Sequence, residues 1–385
     1  MRIKTQLVLI SEQAVPNIAP ILDERFKPEQ VIMLVSEDML EQSEFLEKIY
    51  KPRGIKVSRW KIKDPWDVEH IRNRIEDLLL ENEYESIALN TTGGTKPMSI
   101  AAYEVFRENN LDIFYIHPEQ DRLIWMHPKR PSIDLADRIK LKEYLLAYGA
   151  SKVNELYKGG VLADYRVLSE ELIDNIRKYE PALSTLNYFA ATADNPKLLS
   201  ADIDRNMNGN YSFWAIVDLF EQAGLLKKRG RVLIFPDEKS RFMVNGGWLE
   251  MYAYACCLDL KRSKGIQDVS HSVEVSRKQG GNTVLNEIDV ALLKDNALYL
   301  LECKTKHFNG HSKKHSEGAD VLYKLDSIRD VLGGTQAKAM LVSYKKLEHH
   351  HLDRAKELDI EVCCYQNLKF LKEKIEFWLN KRAWR

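Results

Sequence analysis

Over the first third of the chain, short apolar runs alternate with segments of helical spacing. The runs at 7–10, 31–35, 87–89 and 113–116 have strand length, and 55–62 reads as a further strand. Between them, 18–26, 39–50, 68–80 and 98–107 repeat apolar residues at three- and four-residue intervals, the spacing of one helix face. Strands alternating with helices predict βαβ units and a mostly parallel sheet. Such a sheet binds ligands beyond the carboxyl ends of its strands. Residues 122–127 read as a strand closing a hairpin after the turn sequence PEQD.

The pattern then changes. From 135 to 179 it is amphipathic helix and little else. A helix over 213–223 stops at Gly224, and LLKKRGRVLIFPDE reads as a two-stranded hairpin turning at Arg229–Gly230. Helix plus basic hairpin resembles a winged helix, and equally suits a structural connector. The last section reads as helix 248–258, strands 269–277, 284–293 and 298–303, helix 319–331 and strand 339–342. A further helix and strand follow, then a terminal helix from about 368. The fold class is α/β: a Rossmann-like domain over 1–133, a helical connector over 134–245 and a second α/β domain over 246–385.

Composition narrows the function classes. The 385 residues carry 57 Lys+Arg and 57 Asp+Glu, so no global basic field attracts nucleic acid. Any such contact must be local. The five cysteines have no metal-finger or disulfide spacing, which suits free thiols in a reducing compartment. No apolar run approaches the roughly 18 residues of a membrane span. These features predict a cytoplasmic protein without a membrane partner.

Two stretches of the last section carry candidate chemistry, NEIDVALLKD at 286–295 and LYLLECKTK at 298–306. Side chains alternate along a strand, so Glu302 and Lys304 share one face and Glu287 and Asp289 another. The tight turn at 294–296 pairs the two strands antiparallel and lets Asp289 meet Glu302. Converging carboxylates suit a hard divalent cation, Mg²⁺ or Mn²⁺. Such an ion polarises a phosphoryl oxygen, and a neighbouring lysine stabilises the charge that develops. By position alone Glu287 rivals Asp289 as the ligand. A solvated face of alternating charges is the plainer reading, but charges between Ile288 and Val290, or after LYLL, are costly without a partner. Lys324 is a candidate to face the same site, or a solvated helix lysine. The basic stretch 304–315 holds three histidines and reads as a loop touching a nucleic-acid backbone.

A second constellation lies near the N-terminus. Thr91, Thr92, Gly93, Gly94, Thr95, Lys96 and Pro97 follow a strand and open a helix. Glycines allow close approach of a phosphate, and free amides at a helix start bind it. The spacing is neither GxxxxGK[ST] nor GxGxxG, so ATP hydrolysis is not indicated. Ser11 lies just past the first strand, on the same rim.

The C-terminal pattern resembles the PD-(D/E)XK nuclease superfamily, with Glu302–Cys303–Lys304 as the ExK element and Asp289 as the upstream acid. Many members place another acid on the first helix, where this chain has Glu250. The resemblance implies catalysis by Asp289, Glu302, Lys304 and Glu250, with the three acids holding the metal. Ser11 and the TTGGTK stretch resemble the CARF family, the CRISPR-associated Rossmann fold that senses cyclic oligoadenylates. Together they resemble the CARF nucleases of type III CRISPR systems. That implies a homodimeric endonuclease in antiviral defence, acting on RNA or DNA and switched on by a cyclic oligoadenylate such as cyclic tetra-adenylate. The competing reading is a nucleotide-sensing transcription regulator with a degenerate nuclease fold.

Overall fold

The computed structural model describes residues 3–81, 86–279, 282–305 and 317–380. The first sheet has the order β3-β2-β1-β4-β5-β6-β7. Its strands are β1 (Thr5–Leu9), β2 (Gln30–Val35), β3 (Lys56–Lys61), β4 (Ile87–Asn90), β5 (Asp112–His117), β6 (Arg122–His127) and β7 (Ile133–Asp134). The first five pair parallel, and β6 and β7 close the edge antiparallel. The helices are α1 (Val15–Leu22), α2 (Leu40–Tyr50), α3 (Val68–Glu81) and α4 (Lys96–Glu108). They cover both faces. Leu7 and Leu9 pack towards α3 and α4, while Val8 and Ile10 join the core on the α1 and α2 side. Burial on both faces explains why these strands read as unbroken apolar runs.

The expected helix over 18–26 differs from α1, which ends at Leu22. There Asp23 turns its carboxylate to Arg25 and to the amide of Ala136, drawing the chain out of the helix.

The connector is less helical than expected. It contains α5 (Leu141–Ala147), α6 (Ala163–Asp174), α7 (Ile176–Thr192) and α8 (Tyr211–Gln222). Between α5 and α6, however, β8 (Ala150–Val153) becomes the edge strand of the second sheet. Its four residues are too few for a periodicity to show, and pairing with a distant strand stabilises it. The winged-helix-like hairpin forms from β9 (Lys227–Arg229) and β10 (Val232–Ile234), with Gly230 in the turn at φ +60°.

After α9 (Glu238–Phe242) a kinked turn over Met243–Gly247, with Asn245 and Gly246 outside helical φ/ψ, leads into α10 (Trp248–Leu260). The second sheet has the order β15-β14-β13-β12-β11-β8. Its remaining strands are β11 (Asp268–Gln279), β12 (Asn282–Lys294), β13 (Ala297–Lys304), β14 (Lys338–Ser343) and β15 (Ile360–Cys364). β12 and β13 run antiparallel as predicted, β11 pairs antiparallel on the other side of β12, and β14 and β15 continue parallel. α11 (Glu317–Gly333) precedes β14, and α12 (His349–Glu357) and α13 (Leu371–Asn380) complete the domain.

One face of this sheet packs against α6, α7, α8, α10 and α13. The other, through Ala291, Leu293, Leu298 and Leu300, shares a continuous apolar core with α1, α2 and α5 of the first half. The two halves thus meet across buried apolar surface.

Candidate active site and ligand cavity

The β12–β13 hairpin builds the catalytic candidates. Its register pairs Val290 with Leu301 and Lys294 with Ala297. The turn residues Asp295 and Asn296 both take φ near +50°. Beyond Val290 the strands part, and the Asp289 carboxylate fills the gap: Oδ2 accepts the backbone N–H of Cys303 at 2.6 Å. Asp289 and Glu302 are thereby brought together, as expected from the turn length. Burial raises the pKa of Asp289, and the charge of Glu302 raises it further. Glu302 is itself raised by burial, opposed by the positive charges of Lys324 and Lys304. Lys324 is exposed on α11, and its charge reaches Glu302. Glu287 is exposed on β12.

Glu250 arrives from the opposite side, in the first turn of α10. Burial raises its pKa first, and repulsion from Asp289, Glu287 and Glu302 adds to it. Its Oε2 is buried without a hydrogen-bond partner. The kinked turn before α10 sets its position. Gly246 has φ +111°, and a Cβ there would lie 2.2 Å from Thr305 Oγ1. Only glycine lets the entry to α10 press against the end of the strand carrying Lys304. The sequence signal was the Gly246–Gly247 pair, whose role became readable only beside Thr305.

The donors are oxygens, repelled by one another and partly desolvated, with one buried carboxylate oxygen unpaired. That chemistry fits a hard divalent cation. Among the described residues, no three His, Cys, Asp or Glu side chains close into a ready-made metal cage. The histidine-bearing stretch after Thr305 lies outside the described residues.

A second site lies at the carboxyl rim of the first sheet, where the strand order reverses between β1 and β4. A cavity of about 520 Å³ opens there, lined by Ser11, Thr92, Gly93, Gly94 and Thr95. Gly93 is pressed so closely on β1 that a Cβ would lie 2.1 Å from the Leu9 carbonyl oxygen and 3.3 Å from Ser11 Oγ. The two loops are therefore neighbours, as their shared rim predicts. Thr91 is buried and hydrogen-bonds Ser99 O. The Thr92 hydroxyl donates to Asn90 and accepts from Ile116 N, and Thr95 caps α4 while donating to Pro65 O. These hydroxyls hold the loop's shape, leaving backbone amides to meet a ligand. Thr91, Lys96 and Pro97 do not line the cavity; Pro97 stands in the first turn of α4, and Lys96 is exposed. Sequence reasoning missed the far wall, which includes Trp66, Tyr144, Tyr148, Asn296, Thr335 and Gln336.

A Rossmann-like sheet with a glycine-rich ligand loop, joined to a mixed sheet presenting Asp289, Glu302 and Lys304, defines a ligand-binding domain fused to a nuclease. Residues 5–144 match the Card1 CARF domain, and residues 237–382 match the Card1-like endonuclease domain. The chain belongs to the CARF nucleases that combine these two domains. It resembles protein VC1899 from Vibrio cholerae at 29% identity, TM-score 0.90 and 98% coverage of both chains. It also resembles Can2 from Sulfobacillus thermosulfidooxidans, solved in complex with cyclic tetra-adenylate, at 25% identity and TM-score 0.82, covering 98% of this chain and 100% of that one. A type III CRISPR defence DNA nuclease activated by cyclic oligoadenylate shares the fold at 19% identity and TM-score 0.56, over 89% of this chain and 46% of that one. No curated protein matches the chain. No described helix is long and apolar enough to cross a membrane.

Proposed function

We propose that this chain is a metal-dependent endonuclease of the PD-(D/E)XK type, switched on by a cyclic oligoadenylate. The carrying observation is the convergence of Asp289, Glu302, Lys304 and the unpaired Glu250 at one end of the β12–β13 hairpin. A degenerate nuclease domain, as in a transcription regulator, would have no reason to hold these groups together. Asp289, Glu302 and Glu250 would hold Mg²⁺ or Mn²⁺. When bound, such an ion supplies Lewis-acid activation of the phosphodiester and of water. Lys304 orients the nucleophile and stabilises charge on the phosphoryl oxygens, and Lys324 extends the positive field beside Glu302. The substrate is single-stranded RNA or DNA, or duplex DNA that the enzyme nicks, in antiviral defence.

The activator belongs in the rim cavity. The likeness to Can2, which binds cyclic tetra-adenylate, supports that ligand. Gly93 and Gly94 expose amides for its phosphates. A ring of four nucleotides exceeds 520 Å³. Two cavities about the axis of a homodimer would share a ring that has its own twofold symmetry. The test is cleavage of labelled RNA and DNA, with and without cyclic tetra-adenylate. Cleavage should require the ligand, vanish in excess EDTA and return with Mn²⁺ or Mg²⁺. Full activity in chelator sinks the metal reading. Equal cleavage without any cyclic oligoadenylate sinks the sensor reading.

A further inference from the structure

The cavity beside the glycine loop does not belong to the N-terminal half alone. Asn296, Ala297, Thr335 and Gln336 form part of its wall, and all four belong to the nuclease half. Asn296 and Ala297 sit at the turn of the β12–β13 hairpin, and Thr335 and Gln336 in the short turn between α11 and β14. The two halves are in contact beside this cavity, where the Tyr144 hydroxyl donates to Gly333 O at 2.8 Å. Gln13 Oε1 faces the backbone N–H of Thr335 at 3.3 Å and its hydroxyl at 3.4 Å. Both contacts are long for hydrogen bonds and readily exchanged. At Gly334, φ +60°, a Cβ would lie 2.5 Å from Gln13 Oε1 and 2.8 Å from the Tyr148 hydroxyl, so this turn approaches as closely as glycine permits.

The chemistry of the two walls differs. The loop at Gly93 and Gly94 offers amides at the start of α4, where the helix dipole favours an anion. The opposite wall stands past the carboxyl end of α11, where the dipole disfavours one. What it offers instead is neutral: the Gln336 amide and the Thr335 hydroxyl. A glutamine amide matches the paired donor and acceptor of an adenine edge.

We propose that the activator bridges the halves, its phosphate on the glycine loop and an adenine edge on Gln336 and Thr335, so that the nuclease half itself reads the base. This rests on the reading of the cavity as the activator site. Asn296 is not free to take part in the reading: its side chain already donates to Asp121 Oδ2 at 2.8 Å and accepts from Gln267 at 2.8 Å.

The test uses the full-length chain, with calorimetric binding of cyclic tetra-adenylate and of its inosine counterpart, in which a carbonyl replaces each adenine amine. Wild type should prefer the adenine ring. Gln336→Ala should weaken its binding about tenfold and bring the two rings to near-equal affinity, with the melting temperature unchanged. Thr335→Ala should weaken binding less and raise the concentration for half-maximal cleavage. If Gln336→Ala and the double variant with Thr335→Ala both keep wild-type affinity and base preference, the bridging site is wrong. If wild type binds neither ring, it is instead the activator assignment of the cavity that fails.

Discussion

Lys304 and Glu302 stand two residues apart on β13, and the amide of the residue between them fixes Asp289. Lys304 is half-exposed, so its truncation opens no core cavity, and Glu302 keeps the opposing charge of Lys324. Lys304→Ala should cut the rate of cleavage by on the order of 10²–10⁴ while the melting temperature stays close to wild type. Unfolding, or unchanged turnover, would contradict the assignment. The structure also separates Asp289 from its rival Glu287. Asp289 accepts a backbone hydrogen bond inside the site, whereas Glu287 is exposed further along β12. Asp289→Ala should therefore abolish cleavage, and Glu287→Ala should be the milder change. The reverse order in side-by-side kinetics would reassign the acid.

At the scale of elements, two glycines set how closely backbones meet. Gly93 needs space rather than an unusual φ, because the atom it would strike is the Leu9 carbonyl oxygen in the middle of a sheet. Gly93→Ala should lower the melting temperature and remove the response to cyclic tetra-adenylate. Gly54 is the control. It has φ +74° and nothing within 4 Å of a Cβ, so Gly54→Ala should cost about 1 kcal/mol of backbone strain and leave activation intact. A titration of cleavage against activator distinguishes them; equal curves would mean that the Gly93 approach is not needed for the ligand. The element pattern also shows what periodicity misses. The long strands of the second sheet were legible because their apolar alternation spans many residues. β7, at two residues, only extends the hairpin of its neighbour β6, and β8, at four, exists through pairing with β11 far along the chain. The kinked turn before α10 has no period at all.

At the scale of the molecule, the joint between the halves contains a buried acid. Asp121, in the β5–β6 turn, is 7% exposed and accepts a hydrogen bond from Asn296 in the β12–β13 turn. Burial pushes its pKa up to about 7, with repulsion from Asp137 adding and the Asn296 bond opposing. Asp137 is pushed up to about 6, by burial and then Asp295. In the unfolded chain both ionise near 3.8, the ordinary value. Between pH 4 and 7, roughly, the folded chain holds protons that the unfolded chain has lost. The contribution of these two acids to stability should fall as pH rises through that window and level off above it. Asp121→Asn keeps an acceptor for Asn296 and removes the titration. Its denaturation midpoint should vary less across the window than that of wild type, and identical pH profiles would refute the role of this carboxyl.

The amino-acid sequence by itself determined the two α/β halves, the antiparallel hairpin with Asp289, Glu302 and Lys304, and the glycine loop that meets Ser11. Each of these is local: a period, a turn length, or a short motif on a strand end. The tertiary structure decided what depends on distant residues approaching one another. It brought α10 against Thr305 to aim Glu250, and set α11 so that the charge of Lys324 reaches Glu302. It committed the threonine hydroxyls to the loop's own framework, and lent the connector's β8 to the nuclease sheet. It also closed the ligand cavity with Asn296, Thr335 and Gln336 from the other half of the chain. A sequence pattern records which side of its own element a residue faces. Which element lies opposite is settled when the apolar faces of both sheets are buried together.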